Sequence, residues 1–155
     1  MEFTATVTTT DDDPYASADA RGTHQFQSDE PDWLPTGAGN DDHPAPVDYL
    51  VSSLAMCQAS VLAQLLEDEG VETYDVTCVA SIDDWAMRDD HPDALPRHTG
   101  ALIEHLTVDV TLETTAAHRE AADRCLALYD EGCIVGNSLA AGVEYTTETS
   151  LVTDQ

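Results

Sequence analysis

Two of the four cysteines lie in the two long stretches of the sequence that carry no charge. Cys57 lies within Tyr49–Leu66 and Cys133 within Gly132–Val143. In a chain this rich in acid, an uncharged stretch indicates burial. Two buried thiols could form a reversible disulfide after one is oxidised to a sulfenic acid, if their Cα atoms came within about 7 Å. The alternative is that both are small core residues, because free cysteine is among the most buried residue types.

A buried thiol that does chemistry needs a nearby cation, because burial raises its pKa and only the thiolate attacks. The sequence offers five arginines and no lysine. Arg21 lies on a predicted strand ahead of the loop that leads to the Cys57 helix, so we choose it as this cation, with a surface counter-ion as the alternative. His24 could line the same site, or it could be an exposed strand histidine.

The composition predicts a single domain, 1–155, with an acidic surface adapted to high salt. Thirty-one Asp and Glu give a formal net charge of −26, a repulsion that molar salt would screen. This charge argues against nucleic acid and against anionic membranes. No CxxC pair or paired-histidine spacing suggests a metal, and the acidic start lacks a secretory signal pattern, so we expect a cytoplasmic protein without a metal.

The pattern of elements predicts the order ββ-α-ββ-α-α-β, an α+β fold with helices against antiparallel sheets. MEFTATVTT and ARGTHQFQSDE would form the first two strands, separated by a turn at DDDPYAS. Apolar residues recur every three or four positions after Pro46, which predicts a long helix that carries Cys57 and ends near Gly70. VEYTTETSLV would form the last strand. A helix that is uncharged nearly all round is hard to cover with so short a chain, and a dimer would bury it.

These same motifs resemble the OsmC/Ohr family of osmotically inducible and organic-hydroperoxide-resistance proteins. The similar segments are PVDYLVSSLAMC, the DEP and glycine-containing loop before it, and GCIVGNSLAAGVEY. The resemblance covers most of the chain. Its most specific elements are the cysteine eleven residues after Pro46 and the second cysteine followed by a Val and Asn-Ser-Leu, in CIVGNSL.

The resemblance implies an intertwined homodimer, with long central helices between sheets and active sites at the subunit interface. In that family Cys57 would attack the peroxide, and Cys133 would resolve the sulfenic acid to a disulfide that a dithiol reductant reopens, without a cofactor. An arginine of the N-terminal strands would hold the thiolate, a role that we place on Arg21. Apolar walls around Cys57, including Leu54, Val61 and Trp33, would favour organic hydroperoxides.

One position departs from the peroxidases of the family. They carry a Glu directly after the helix-starting proline, where this chain has Val47, so the pattern is closer to the OsmC-like branch. The acidic composition indicates a halophile-type member of that branch. The alternative function is therefore a non-catalytic or weakly redox-active homodimer that binds an apolar small molecule.

Overall fold

The computed structural model describes residues 3–10, 13–32, 39–87 and 101–151. The elements follow in the order β1 (Ala5–Thr10), β2 (Asp13–Ala20), β3 (His24–Ser28), α1 (Pro46–Asp68), β4 (Tyr74–Met87), β5 (Ala101–Thr114), α2 (Arg119–Leu126) and α3 (Ile134–Ala141). Short 3₁₀ turns cover Ala116–His118 and Tyr129–Gly132. The predicted α+β class with antiparallel sheets is confirmed.

The first sheet has three strands where the sequence predicted two. β2 runs through the segment that was predicted to be a turn, and it pairs antiparallel with both β1 and β3. Ala18 lies opposite Val7 on one side and Phe26 on the other, and it is buried. Alanine has a low strand propensity, so the alternation of Ala with polar residues in this segment did not indicate a strand.

The β2–β3 hairpin also changes the setting of Arg21. Predicted on a strand, Arg21 instead lies in the turn between the two strands, with a φ of 59°. Its N–H donates to the carbonyl of Thr4 at 3.0 Å, and Gly22 follows with a φ of 69°. Two successive residues in the left-handed region are typical of a tight hairpin turn.

The second sheet is the predicted hairpin of two long strands, β4 and β5. The hydroxyl of Thr114 at the end of β5 donates to the carbonyl of Thr73 at 2.7 Å, just before β4 begins. The acidic connection between the strands, 88–100, lies outside the described residues. The hairpin prediction is confirmed for the strands.

Helix α1 begins and ends where the sequence predicted. Its first residue is Pro46, and Asp48 accepts the N–H of Ala45 at 2.9 Å, which caps the N-terminus. At the other end Gly70 has a φ of 75°, the left-handed conformation that favours glycine after a helix. The N–H of Val71 then donates to the carbonyl of Leu66 at 2.9 Å.

Among the described residues, most of the apolar surface of α1 is not covered. By length and composition this helix could span a membrane, with a mean hydropathy of 1.5, although core helices of soluble proteins meet the same criteria. Only 17% of its most apolar window is buried within the chain. We expected a buried soluble helix, and the described part of the chain covers it only in part.

The chain divides into two compact units. The first comprises Met1–Met56 and Thr77–Thr111, and the second comprises Cys57–Val76 and Leu112–Gln155. Buried apolar residues of the second unit are Leu62, Leu66, Val71, Ala122, Cys125 and Cys133. That the whole chain is one domain stays a prediction.

The predicted last strand is absent from 143–151, the described part of the C-terminal segment. α3 ends at Ala141, followed by Gly142 with a φ of 67°, and the residues beyond it are exposed and form no strand. Alternating Val, Tyr and Thr favour a strand, but a strand forms only where another backbone pairs with it. Within the described residues the chain offers this segment no such partner.

Asp29 organises the loop that leads into α1. Its carboxylate is 5% exposed and accepts the backbone N–H groups of Glu30 at 2.8 Å, Asn40 at 3.0 Å and Asp42 at 3.1 Å. Burial alone would raise the pKa of Asp29, but the hydrogen bonds from Asp42, Asn40 and Glu30 outweigh it and hold the pKa below 3.8. The ionised carboxylate therefore joins two parts of the loop.

Replacing Asp29 with Asn should lower the thermal midpoint of unfolding by several degrees at neutral pH. The folded-state pKa is lowered, so this stabilisation is present above the unfolded pKa and is lost as pH falls through the folded value. Thermal melts of wild type and Asp29→Asn should therefore converge in acid. The exposed Asp32→Asn, which removes the same charge, should melt like wild type; equal effects of the two changes would contradict the proposed loop role.

Candidate functional site

The second unit brings Cys57 of α1 and Cys133 together. The side chain of Cys57 lies near enough to that of Cys133 to raise its pKa, and both thiols are free. Cys133 is completely buried, whereas Cys57 is partly exposed. The two charge-free stretches of the sequence thus meet at their cysteines, with the more accessible sulfur on the long helix.

Cys133 is held in place because it caps the N-terminus of α3. Its Sγ accepts the backbone N–H of Gly136 at 3.2 Å, and Cys133 itself has the extended backbone typical of a cap residue. The first amides of a helix have no partner within the helix, so this thiol satisfies a donor that would otherwise be unpaired. The hydrogen bond also fixes the sulfur relative to the backbone.

The backbone before Cys133 lies close against α1. A Cβ at Gly132 would come within 2.8 Å of Cγ1 of Val61, one helical turn after Cys57. A valine on a helix has one preferred rotamer, so it cannot easily move away. The amide of Asn137 donates to the carbonyl of Glu131 at 2.9 Å and closes this segment from the other side. Glycine at 132 therefore permits the approach of the two thiols.

Several effects raise the pKa of the Cys133 thiol above 9.0. Burial raises it most, the Gly136 N–H partly opposes this, and the neighbouring Cys57 raises it further. Cys133 therefore keeps its proton at neutral pH. A protonated thiol beside the sulfur of Cys57 can donate a hydrogen bond to it.

The other two cysteines have no thiol partner among the described residues. Burial raises the pKa of Cys78 in β4, and it also raises the pKa of Cys125 in α2, where the carboxylate of Glu69 adds to the effect. Both thiols are thus protonated at neutral pH, which makes them poor nucleophiles.

The remaining predicted site residues have varied settings. Arg21 lies in the exposed β2–β3 turn, and its guanidinium is 5.5 Å from the ring centroid of Phe3. His24 is exposed at the start of β3. Both residues belong to the first unit. Leu54 is buried one helical turn before Cys57, while Val61 is partly buried. Trp33 lies outside the described residues.

No carboxylate replaces the Glu that the peroxidases of the family carry directly after the helix-starting proline. Val47 is partly buried, and the carboxylate of Asp48 is engaged with the N–H of Ala45. The described residues contain no group of three His, Cys, Asp or Glu side chains that could hold a metal ion.

Sequence reasoning missed Gly136 and the helix cap at Cys133. Cysteine is not among the common cap residues, so the pattern gave little warning. The signal that could have indicated it is local: the uncharged helix begins right after Cys133, and a side chain at that position can reach the amide three residues later.

The family follows from a comparison with family models. Residues 39–148 match the model of the OsmC-like proteins. The chain belongs to this family. No match was found among curated protein sequences.

Solved structures of the family share the fold. A Vibrio cholerae OsmC-like protein of unknown function is 15% identical, with a TM-score of 0.64 over 89% of this chain and 93% of that one. An organic hydroperoxide resistance protein OsmC from Legionella pneumophila is 15% identical, with a TM-score of 0.59 over 90% and 89%. For the organic hydroperoxide resistance protein OhrB of Bacillus subtilis the identity is 15%, with a TM-score of 0.54 over 93% and 94%.

The cap predicts an unusual order of stability among cysteine variants. Cys133→Ser keeps an acceptor for the Gly136 N–H and Cys133→Ala does not, so the alanine variant should be less stable by about 1 kcal/mol. Cys125 is buried without a capping role, so there the order should reverse, because serine places a hydroxyl in an apolar setting. Denaturant unfolding of the four variants measures both differences. The same order at both positions would exclude the cap.

Proposed function

We propose that this protein is a thiol peroxidase that reduces organic hydroperoxides through Cys57 and Cys133, in defence against oxidative stress. The observation that carries the proposal is the pair of neighbouring free thiols, one partly exposed and one buried. The unequal exposure supports the proposed roles, with the partly exposed Cys57 as the thiol that meets the peroxide and the buried Cys133 as the resolving thiol. The same two cysteines carry the resemblance to the peroxidases of the family.

The reaction takes two steps on the oxidative side. The thiolate of Cys57 attacks the outer oxygen of the hydroperoxide, the O–O bond breaks, and the alcohol leaves after taking a proton, with Cys57 left as a sulfenic acid. Cys133 then gives up its proton as its sulfur attacks that of Cys57, and water leaves as the disulfide forms. A dithiol reductant supplies the two electrons that restore both thiols.

Arg21 is our choice for the cation that favours the thiolate and polarises the peroxide, with His24 beside it. In the described part of the chain the guanidinium of Arg21 has no carboxylate partner and lies over the ring of Phe3, so its charge is not neutralised by an acid. A cation near a thiolate lowers the cost of its ionisation.

Apolar residues near Cys57 in the chain support an organic substrate. Leu54 and Val61 lie one turn before and one turn after Cys57 on α1, and we add Trp33 to this apolar wall. Two of the structural relatives are named organic hydroperoxide resistance proteins. An alkyl or aryl hydroperoxide fits such surroundings better than hydrogen peroxide does.

We also propose that the working form is a homodimer in a salt-rich cytoplasm. α1 leaves most of its apolar window uncovered within one chain, and Met56 on it is 62% exposed. A second copy could bury this surface, and salt would screen the repulsion between two chains of charge −26.

One observation favours a second candidate function. Val47 occupies the place where the peroxidases of the family carry a Glu that pairs with the arginine, so the cation would lack its usual support. The second candidate is a weakly redox-active or non-catalytic homodimer that binds an apolar small molecule, with its thiols as core residues.

Titration of thiols before and after one equivalent of cumene hydroperoxide should separate the two candidates. In molar KCl, wild type should lose two thiols per chain, because the sulfenic acid of Cys57 is resolved by Cys133. Cys133→Ser should lose one, and Cys57→Ser should lose none.

Cys78→Ser and Cys125→Ser serve as matched controls and should lose two thiols like wild type. Unchanged thiols in wild type would end the peroxidase proposal and leave the binding protein. Loss of thiols in Cys57→Ser would mean that a cysteine other than Cys57 reacts with the peroxide.

Light scattering in molar KCl should give twice the chain mass of 16.7 kDa. Met56→Glu should shift the protein to monomer, because it places a charge on the surface of α1 that we expect the second copy to bury. Met56→Leu keeps the surface apolar and should stay dimeric. A dimeric Met56→Glu would place the interface elsewhere.

A further inference from the structure

Arg119 is an arginine without a partner in a chain that is dominated by acids. Among the described residues, Arg124 forms an ion pair with Glu69, but Arg119 forms neither an ion pair nor a hydrogen bond. Asp123 follows one helical turn later on α2, yet the two do not pair. Arg119 is exposed to solvent, so its guanidinium is available to a ligand.

A cavity of about 370 Å³ lies beside Arg119 within the second unit. Its lining combines apolar and polar side chains: Leu112, Thr114, Thr115, Ala116, Arg119, Ala122, Asp123 and Leu126. Ala122 is buried, whereas Leu126 keeps 37% of its surface exposed. This volume is at the lower end of the range for small-molecule sites, about 300–1,000 Å³.

Thr115 adds a second polar group to the cavity. It precedes the 3₁₀ turn Ala116–His118 as its cap residue, but its side chain makes no capping hydrogen bond. No other hydrogen bond engages this hydroxyl among the described residues. The neighbouring Thr114 differs, because its hydroxyl donates to Thr73. The cavity is open to solvent, and it holds one exposed guanidinium and one exposed hydroxyl that have no protein partner among the described residues, beside the apolar side chains of Leu112, Ala122 and Leu126.

We propose that this cavity binds a small monocarboxylate with a short apolar chain. The planar guanidinium of Arg119 matches a carboxylate through two parallel hydrogen bonds, and Thr115 can donate a third. Leu112, Ala122 and Leu126 provide the apolar surface for the chain. Asp123 repels a second negative charge, so a monoanion fits this lining better than a phosphate.

The site is independent of the thiol chemistry. None of its lining residues is a cysteine, and Cys57 and Cys133 do not contribute to it. Cys57→Ser should therefore bind the ligand as wild type does. The peroxidase proposal and the binding-site proposal can then fail independently of each other.

Butyrate is the probe for the test, with methyl NMR spectra recorded at constant molar KCl. Increasing butyrate should shift the methyl signals of Leu112, Ala116, Ala122 and Leu126 with a single saturating curve. Arg119→Gln should weaken the affinity at least tenfold without lowering the thermal midpoint, because Arg119 makes no contact that folding needs. Arg124→Gln removes the same charge one turn later and should change the affinity less than twofold.

The competing explanations give different results. Linear shifts without saturation, or equal losses in Arg119→Gln and Arg124→Gln, would mean that only general electrostatic attraction acts, and the site would be withdrawn. Inorganic phosphate that binds as tightly as butyrate would overturn the monocarboxylate assignment. Butylammonium should give no saturating shift; if it bound equally well, the role of Arg119 would be wrong.

Discussion

Excess negative charge is the constraint on which the rest of this structure depends. With 31 acids against five arginines, long stretches without acid are few. The two longest of these supply α1 and the segment that begins α3, and they meet at Cys57 and Cys133. The thiol pair is thus located at the place where this chain can most readily exclude water, since neither stretch brings a charge that would have to be desolvated.

The helix and the long hairpin could be predicted from sequence because their signals are local. Pro46 and Gly70 mark the ends of α1 by their backbone preferences, and apolar periodicity marks its length. β2 was missed because Ala16, Ala18 and the acids beside them do not resemble a strand, although β1 and β3 supply the backbone partners that make one. The prediction of a last strand was wrong for the opposite reason. Its residues favour a strand, but no strand among the described residues pairs with it.

The site was predicted in part, and the missing portion is geometric. The uncharged stretches predicted that Cys57 and Cys133 are buried, but Cys57 is partly exposed and the other buried cysteine is Cys125. They also did not show that Cys133 caps α3 or that Gly132 lets the backbone approach Val61. The cap has a chemical consequence. A sulfur that accepts an amide N–H while it is completely buried is fixed in position and keeps its proton, because burial outweighs the favourable effect of the Gly136 amide on the thiolate. Such a group suits the second step of a thiol cycle better than the first.

The exposed apolar surface of α1 should make the association of this chain depend on salt concentration. A helix with only 17% of its apolar window buried gains by association, since burial of apolar area is favourable at about 25 cal/mol per Å². Two chains of charge −26 oppose that gain over a Debye length, about 10 Å at 0.1 M and about 3 Å at 1 M salt. Association of this chain should therefore tighten as salt rises, the reverse of an interface held by ion pairs. If the apolar walls around Cys57 are completed by a second copy, substrate affinity must rise with salt along with dimer affinity, whereas Cys57 and Cys133 are neighbours within one chain and their proximity does not depend on the second copy.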